Sequence, residues 1–485
     1  MSIENYTLLR KNRKEESDLD MCLGWLCSEM SEELVLNQMD QINIEEIQEL
    51  ISERKFTKLK DILAAVNPAD IAVVFDEVDK KHWLLLFRVL PKELAAETFA
   101  YLETDMQRAL IEAFSDVELR QVVEEMYLDD TVDIIEEMPA NVVARILKSV
   151  NSETRKTIND LLHYPKDSAG SIMTTEYVAL KKNMTVQEAF AHIRAEGVDK
   201  ETVYTCYVTS NRTLIGLVTV RQLLMSSYED VIEDIMETNV ISVHTHEDQE
   251  IVANMFDKYD FIALPVVDKE NRIVGIITVD DAMEVMREEH EEDIQAMAAI
   301  LPSEKSYMQT STWEIWKSRI PWLMLLMFSA TFTGKIIESF ETALAACVAL
   351  TAFIPMLMGT GGNAGSQASV TIIRGLSLEE IEYKDTLKII WKELKASIVI
   401  GLTLGIASIG KLLVIDGATL DIAIVVSITL FVTILIAKII GCSLPILVKK
   451  IGFDPAVVVS PFITTVVDAV CLIVYFQIAS MFLGI

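Results

Sequence analysis

The chain has 485 residues, 51% of them hydrophobic, and carries 42 Lys and Arg against 73 Asp and Glu, a formal net charge of −31. All of that charge falls on residues 1–318, with 31 basic and 62 acidic side chains, whereas residues 319–485 hold eleven of each. An acidic soluble half ahead of a neutral apolar half repels nucleic acid and anionic surfaces and attracts divalent cations, which excludes nucleic acid as a partner.

The opening run MSIENYTLLRKNRKEESDLD is too polar for the apolar core of a signal peptide, so residues 1–34 are expected as a cytoplasmic extension. Six cysteines are scattered through the chain, and Cys22 and Cys27 have no second Cys or His pair nearby to complete a zinc site. All six are expected as reduced thiols. Residues 35–168 predict an all-α domain, with apolar runs punctuated at AAVNPADIA, RVLPKELAAE and EEMPANVVA. Pro68, Pro91 and Pro139 lie 23 and then 48 residues apart, which fits helical hairpins of about 24 residues stacked into a superhelix.

Residues 169–290 contain a repeat. SIMTTEYVALKKNMTVQEAFAHIR with TCYVTSNRTLIGLVTVRQLL matches DIMETNVISVHTHEDQEIVANMF with ALPVVDKENRIVGIITVDDAM, and the Gly216 to Gly275 and Thr219 to Thr278 separations are both 59. Each unit reads strand, helix, strand, turn, strand, helix, with SNRT and KENR as the turns. The repeat resembles paired CBS modules, an α/β fold. Such pairs bind adenine nucleotides through a Thr and a nearby Asp after the third strand. Here the second module supplies Thr278 and Asp281, while the first supplies Thr219 but Gln222 in the Asp place, so ATP is a candidate ligand with half of that pattern missing.

The sequence then runs through VDDAMEVMREEHEEDIQAMAAILPSEKSYMQTSTWEIWKS, with a connecting helix expected over 291–318. Asp281, Glu284, Glu288 and Glu292 recur every three or four residues, so a continuous helix places them on one face. Like charges about 4 Å apart repel by about 4 kcal/mol at an effective dielectric near 20, so close packing of this face calls for a counterion. The alternative is a solvated helix face.

Residues 319–485 predict an all-α domain of five spans, approximately 320–338, 342–372, 396–414, 420–447 and 455–484, each apolar enough for a bilayer crossing, which needs about 20 helical residues. With the amino end inside, the loops after the second and fourth spans carry Arg374, Lys384, Lys388, Lys392, Lys395, Lys449 and Lys450, against Lys335 and Lys411 at the outward ends. That asymmetry predicts a multi-pass protein of the cell (inner) membrane, with a cytoplasmic amino terminus and an extracellular or periplasmic carboxyl terminus.

Three features of this half bear chemistry. The second span contains GTGGNAGSQ, whose glycines around Asn363 fit either unwound backbone lining a wet cavity or close helix packing through small residues. No GKS or GKT follows, which excludes a nucleotide P-loop. The last span, DPAVVVSPFITTVVDAV, is expected to have its hydrogen-bond ladder broken at Pro455 and Pro461, with Thr464 and Thr465 repairing it or facing water. It carries Asp468 at bilayer depth, where a charge costs roughly 2.5–3.5 kcal/mol and marks an ion or substrate path. Asp454, fourteen residues earlier and about 21 Å away along an ideal helix, suits a cytosolic mouth, a helix cap before Pro455, or both. Lys438, also inside a span, is left with two expectations, to snorkel or to pair with an acid such as Asp454.

Taken together, the order helical superhelix, CBS pair, acidic connecting helix and five spans, with GTGGNAGSQ and DPAVVVSPFITTVVD in place, resembles the MgtE family of magnesium channels over roughly residues 35–485. The resemblance implies a homodimer whose pore is lined by the second and fifth spans. Asp468 is then the selectivity carboxylate, Asn363 lies beside the path, Asp454 near its cytosolic end and Glu341 at the outer entrance. It also implies a cytosolic Mg²⁺ sensor. The matching positions are Asp248, Glu250, Asp260, Asp281, Glu284, Glu289, Glu292 and Asp293, with Glu97, Asp129 and Asp133 from the helical domain. Oxygen-only chemistry suits Mg²⁺, with Mn²⁺, Co²⁺ and Ni²⁺ as lesser passengers. Against this stand an anion channel, which Asp468 opposes, and a non-conducting sensor, in which Asp468 is only an interhelical hydrogen-bond partner. An enzyme is disfavoured because no nucleophile, base and orienting group converge in any motif.

Overall fold

The computed structural model describes residues 43–303, 307, 310–341, 345, 347–377 and 380–483. The amino-terminal extension, with Cys22 and Cys27, lies outside the described residues. The chain divides into two compact units at Asp281/Ala282.

The first unit begins with short helices: α1 Ile44–Ser52, α2 Phe56–Leu63, α3 Pro68–Glu77, α4 Trp83–Val89, α5 Lys92–Ala100, α6 Thr104–Ala113, α7 Asp116–Glu125, α8 Leu128–Glu137, α9 Ala140–Ser149 and α10 Ser152–Leu161. The starts of α3, α5, α7 and α9 fall at 68, 92, 116 and 140, and each of these helices packs on the next of the set. The 24-residue period therefore exists in three dimensions. Pro68 opens α3, where its missing N–H costs nothing, and Pro91 and Pro139 precede α5 and α9. At the position between them the sequence has Ser115, which closes a capping box with Glu118. Phe75, Leu86, Phe99, Leu110 and Ile111 fill the core.

The CBS pair follows as two sheets of one pattern. β1 Ala179–Lys181 lies parallel to β2 Thr205–Ser210, which pairs antiparallel with β3 Thr213–Thr219, and α11 Val186–Glu196 connects β1 to β2. In the second module β4 Val243–His244, β5 Ala263–Val267 and β6 Ile273–Thr278 repeat that order, with α14 Gln249–Tyr259 as the crossover. Between the modules lie α12 Val220–Met225 and α13 Ile232–Ile235. Asn211 and Arg212 both take positive φ in the SNRT turn, the twist a tight hairpin requires. β5 is buried along its whole length.

The acidic run forms one helix, α15 Val279–Met297, which stops at Ala299 in the left-handed region. The second unit continues with α16 Thr312–Ser339, opened by a Ser311–Glu314 capping box, then α17 Ile354–Ser377, α18 Thr386–Val414, α19 Leu420–Ile451 and α20 Pro455–Leu483. Among the described residues four helices are long and apolar enough to cross a membrane, at Thr312–Ser339, Tyr383–Val414, Leu420–Ile451 and Phe462–Phe482. The expected second span is also a helix, α17, but its Gly, Asn, Ser and Gln content keeps it out of that set.

Two expectations of broken backbone are corrected. GTGGNAGSQ is not unwound but lies inside α17, and α20 runs unbroken from Pro455, which occupies its first turn. The glycines serve close approach instead. A Cβ on Gly441 of α19 would lie 2.4 Å from the Gly365 carbonyl oxygen of α17, and one on Gly361 would meet Thr433 at 2.8 Å. The helices interlock through these missing side chains. Further ties are the buried Ser408–Ser427 hydroxyl pair at 2.7 Å between α18 and α19, and the Tyr475 hydroxyl donating to the Leu350 carbonyl at 2.9 Å.

Candidate ion path and acidic clusters

Asp468 sits on α20 opposite Gly362 of α17. A Cβ built on Gly362 would have Asp468 Oδ1 and Thr464 Cγ2 both at 3.7 Å, so the missing side chain at 362 leaves the carboxylate room beside the neighbouring helix. Asp468 is half-buried and Thr464 exposed, whereas Ile463, Val467, Cys471 and Leu472 on the other side of α20 are sealed in the core. Thr465 meets Ser329 of α16 at 3.3 Å through their hydroxyls, which gives one of the two threonines an interhelical role.

On α17 the exposed positions are Pro355, Gly359, Asn363, Gln367, Val370, Thr371 and Arg374, spaced as one helical face. Asn363 lies on this face. Gln367, one turn further on, was missed in the sequence, although its i+4 spacing from Asn363 was there to be used. Glu341 is exposed just after α16. Asp454 accepts a hydrogen bond from the Ala456 N–H at 2.8 Å, so it caps α20 as one of its two readings required.

Lys438 neither snorkels nor pairs with Asp454. Its ammonium meets Glu393 of α18 at 3.3 Å. Glu393 lies inside a run of lysines, LKIIWKELK, and composition gave no reason to separate it from an ordinary surface charge.

Two acidic clusters lie outside the membrane-spanning segments. In the first unit, Asp129 at the start of α8, Glu201 ahead of β2 and Asp281 at the start of α15 influence one another electrostatically. Burial, then the Asp129 and Asp281 charges, push Glu201 up to about 9. Burial also raises Asp129 and Asp281, the latter further through Asp129. The Glu176 carboxylate accepts a hydrogen bond from the Leu128 N–H at the α8 terminus, at 3.4 Å. Neither Glu201 nor Glu176 was singled out in the sequence, since Glu176 stands alone among neutral neighbours and Glu201 follows Asp199 and Lys200 in an ordinary polar turn. Glu97 and Asp129 both act on Tyr127, and Asp133 lies one turn along α8.

In the second unit Asp293, near the end of α15, is pushed up to about 6 by burial, Asp454 and Glu289, while a Ser377 hydrogen bond opposes the shift. Glu284 is exposed and pairs with Arg287 at 2.8 Å. Glu288, Glu289 and Glu292 occupy the same helix. Asp248 caps α14 by accepting from the Glu250 N–H at 2.9 Å, and Asp260 closes that helix in the left-handed region. Among the described residues no three His, Cys, Asp or Glu side chains form a ready-made ion cage.

Both nucleotide candidates are engaged locally. The Thr278 hydroxyl donates to Asp281 at 2.5 Å, and Thr219 closes a capping box with Gln222. The described cysteines Cys206, Cys347, Cys442 and Cys471 are free thiols.

A bundle of apolar helices with a half-open carboxylate among them, following a helical repeat domain and a CBS pair, is the arrangement of a membrane transporter with an attached soluble half. Residues 354–478 match the family described as MgtE divalent cation transporter, residues 66–167 the MgtE intracellular N domain, and residues 169–229 and 232–288 the CBS domain. The magnesium transporter MgtE of Thermus thermophilus is 34% identical over 90% of this chain and 98% of its own length, and that of Bacillus subtilis 33% identical over 90% and 96%. The chain therefore belongs to the MgtE family of magnesium transporters. A crystal structure titled as the cytosolic domain of the Mg²⁺ channel MgtE in complex with ATP is 34% identical, covers 50% of this chain and 99% of its own, and superposes with a TM-score of 0.48.

Proposed function

We propose that this chain forms a homodimeric Mg²⁺ channel that admits Mg²⁺ to the cytosol and closes when cytosolic Mg²⁺ binds its acidic clusters. The observation that carries the reading is Asp468, half-open on α20 beside Gly362. Mg²⁺ sheds its water reluctantly and keeps octahedral oxygen coordination, so a pore handles it hydrated, through a few carboxylates and amide oxygens. Asp468 recognises the hydrated ion, Asn363 lines the same path, Asp454 stands near the cytosolic end and Glu341 at the outer entrance. Exposed Asn363 and Gln367 on a membrane-embedded helix would face acyl chains in a lone subunit, and a second copy enclosing a water-filled passage removes that cost.

Closure follows from the crowding of carboxylates in the acidic clusters. Asp129, Glu201 and Asp281 repel when ionised, and so do Asp293, Asp454 and Glu289; a divalent cation between them replaces repulsion with attraction. Asp248, Glu250, Asp260, Glu284, Glu292, Glu97 and Asp133 contribute further weak sites. Moving a gate from 1:99 to 99:1 takes about 5.5 kcal/mol of differential binding, which several weak sites share. ATP at the CBS pair adds a second input through Thr278 and Asp281, with Thr219 in the first module. The test is Mg²⁺ uptake into liposomes by the native protein and by Asp468→Asn. The variant is expected to lose at least tenfold in uptake, about 1.4 kcal/mol or more of barrier, and equal uptake removes the pore assignment.

A further inference from the structure

α18 changes character along one exposed face. Its first turns expose Leu387, Lys388, Trp391, Lys392 and Lys395, and the face then turns mainly apolar as far as Gly410, with Val399 65% exposed and Ile406 71% exposed and Thr403 as its polar exception. Lys395 lies over the Trp391 ring, 5.3 Å from its centroid. Nearby ammonium groups are already satisfied, Lys384 by Glu382 at 2.6 Å and Lys388 by Asp385 at 2.8 Å. Lys392 and Lys395 have no carboxylate partner among the described residues.

α16 repeats the arrangement independently. Its start exposes a stacked pair, Trp313 and Trp316 with centroids 4.8 Å apart, beside Lys317 and Arg319, and the face beyond carries Leu323, Met327, Phe328 and Phe332. Trp316 precedes the helix end at Ser339 by 23 residues, and Trp391 precedes Val414 by the same number. At 1.5 Å per residue both spans are about 34 Å, close to a hydrocarbon core of about 30 Å with one interface added. Tryptophan and lysine at such a boundary sit at headgroup level.

We propose that Lys392 and Lys395, with Trp391 beside them at the start of α18, form a binding site for the phosphate of an acidic phospholipid. The ring lies at the glycerol level, the Lys395 side chain lies over it, and the two uncompensated ammonium groups meet the anionic headgroup. The choice of an acidic lipid follows from charge complementarity. These cations stand on the neutral membrane half of a chain whose remaining 318 residues carry the entire excess of acid and repel such a surface.

The test uses the full-length protein in phosphatidylcholine vesicles containing either brominated phosphatidylglycerol or brominated phosphatidylcholine. Tryptophan quenching is read as the difference between the native chain and Trp391→Phe, which isolates that ring. The native protein is expected to prefer phosphatidylglycerol, and the preference weakens as salt screens it. Lys392→Gln with Lys395→Gln lowers the preference about thirtyfold, at about fivefold per lysine. Lys392→Arg with Lys395→Arg keeps it, and so does Lys384→Gln. Equal quenching by both lipids in the native chain, a preference indifferent to salt, or a preference retained by the Gln pair overturns the site.

Discussion

Lys438 of α19 and Glu393 of α18 form an ion pair at 3.3 Å, with side chains only 9% and 18% exposed. Removing one partner strands the other charge. Lys438→Met alone is expected to destabilise the protein by about 3 kcal/mol, and the double variant Lys438→Met, Glu393→Leu to recover most of that loss. Thermal unfolding of the purified chain in detergent measures both; a double variant as unstable as the single one contradicts a compensating pair.

The glycine interlock makes a second prediction. Gly441→Ala puts a methyl group 2.4 Å from the Gly365 carbonyl, backbone that cannot swing aside, so α17 and α19 must separate. The expected cost is about 1–3 kcal/mol. Gly410→Ala, with nothing within 4 Å of its Cβ, is expected to be neutral or slightly stabilising. Melting temperatures of the two variants in one detergent decide it.

Much of the architecture is legible in the sequence. The 59-residue repeat gave both CBS modules, because paired turns and matched glycines survive as sequence. The 24-residue helical stride showed through its prolines, even though Ser115 takes the place of one. What escaped was tertiary. Gly361 and Gly365 read as unwinding or packing until their neighbours were known, Gly441 carried no reading in the sequence, and Lys438 had several acids to choose from. Glu201 and Glu176 gained interest only from burial beside Asp129 and Asp281, which no local pattern encodes.

Neutralising Asp281, Glu284 and Glu292 together is expected to leave the pore conducting at high internal Mg²⁺. Patch recordings with Mg²⁺ on the cytosolic face test this, and normal closure in the triple variant refutes the sensor assignment. Glu284→Gln alone should do little, since that side chain is exposed and already paired with Arg287.

The pH dependence has a definite sign. Glu201 titrates near 9 in the folded protein against an ordinary value of 4.5, so the native state keeps a proton the unfolded chain has lost. Its contribution to stability is complete below about pH 4.5 and disappears as pH rises toward about 9. In Mg²⁺-free buffer the melting temperature of the full-length protein is expected to fall across that window, and Glu201→Gln to flatten the slope. Added Mg²⁺ takes the proton's place at the cluster, so its stabilising effect should grow with pH. An identical slope in the Gln variant contradicts this.

The stride of α3, α5, α7 and α9 has a mechanical consequence. Identical joints bend in series, so a small rotation at each adds to a large sweep at the tip without breaking any one contact. An arm of this kind can be lengthened or shortened by whole units of 24 residues, which would alter its reach while leaving each joint unchanged.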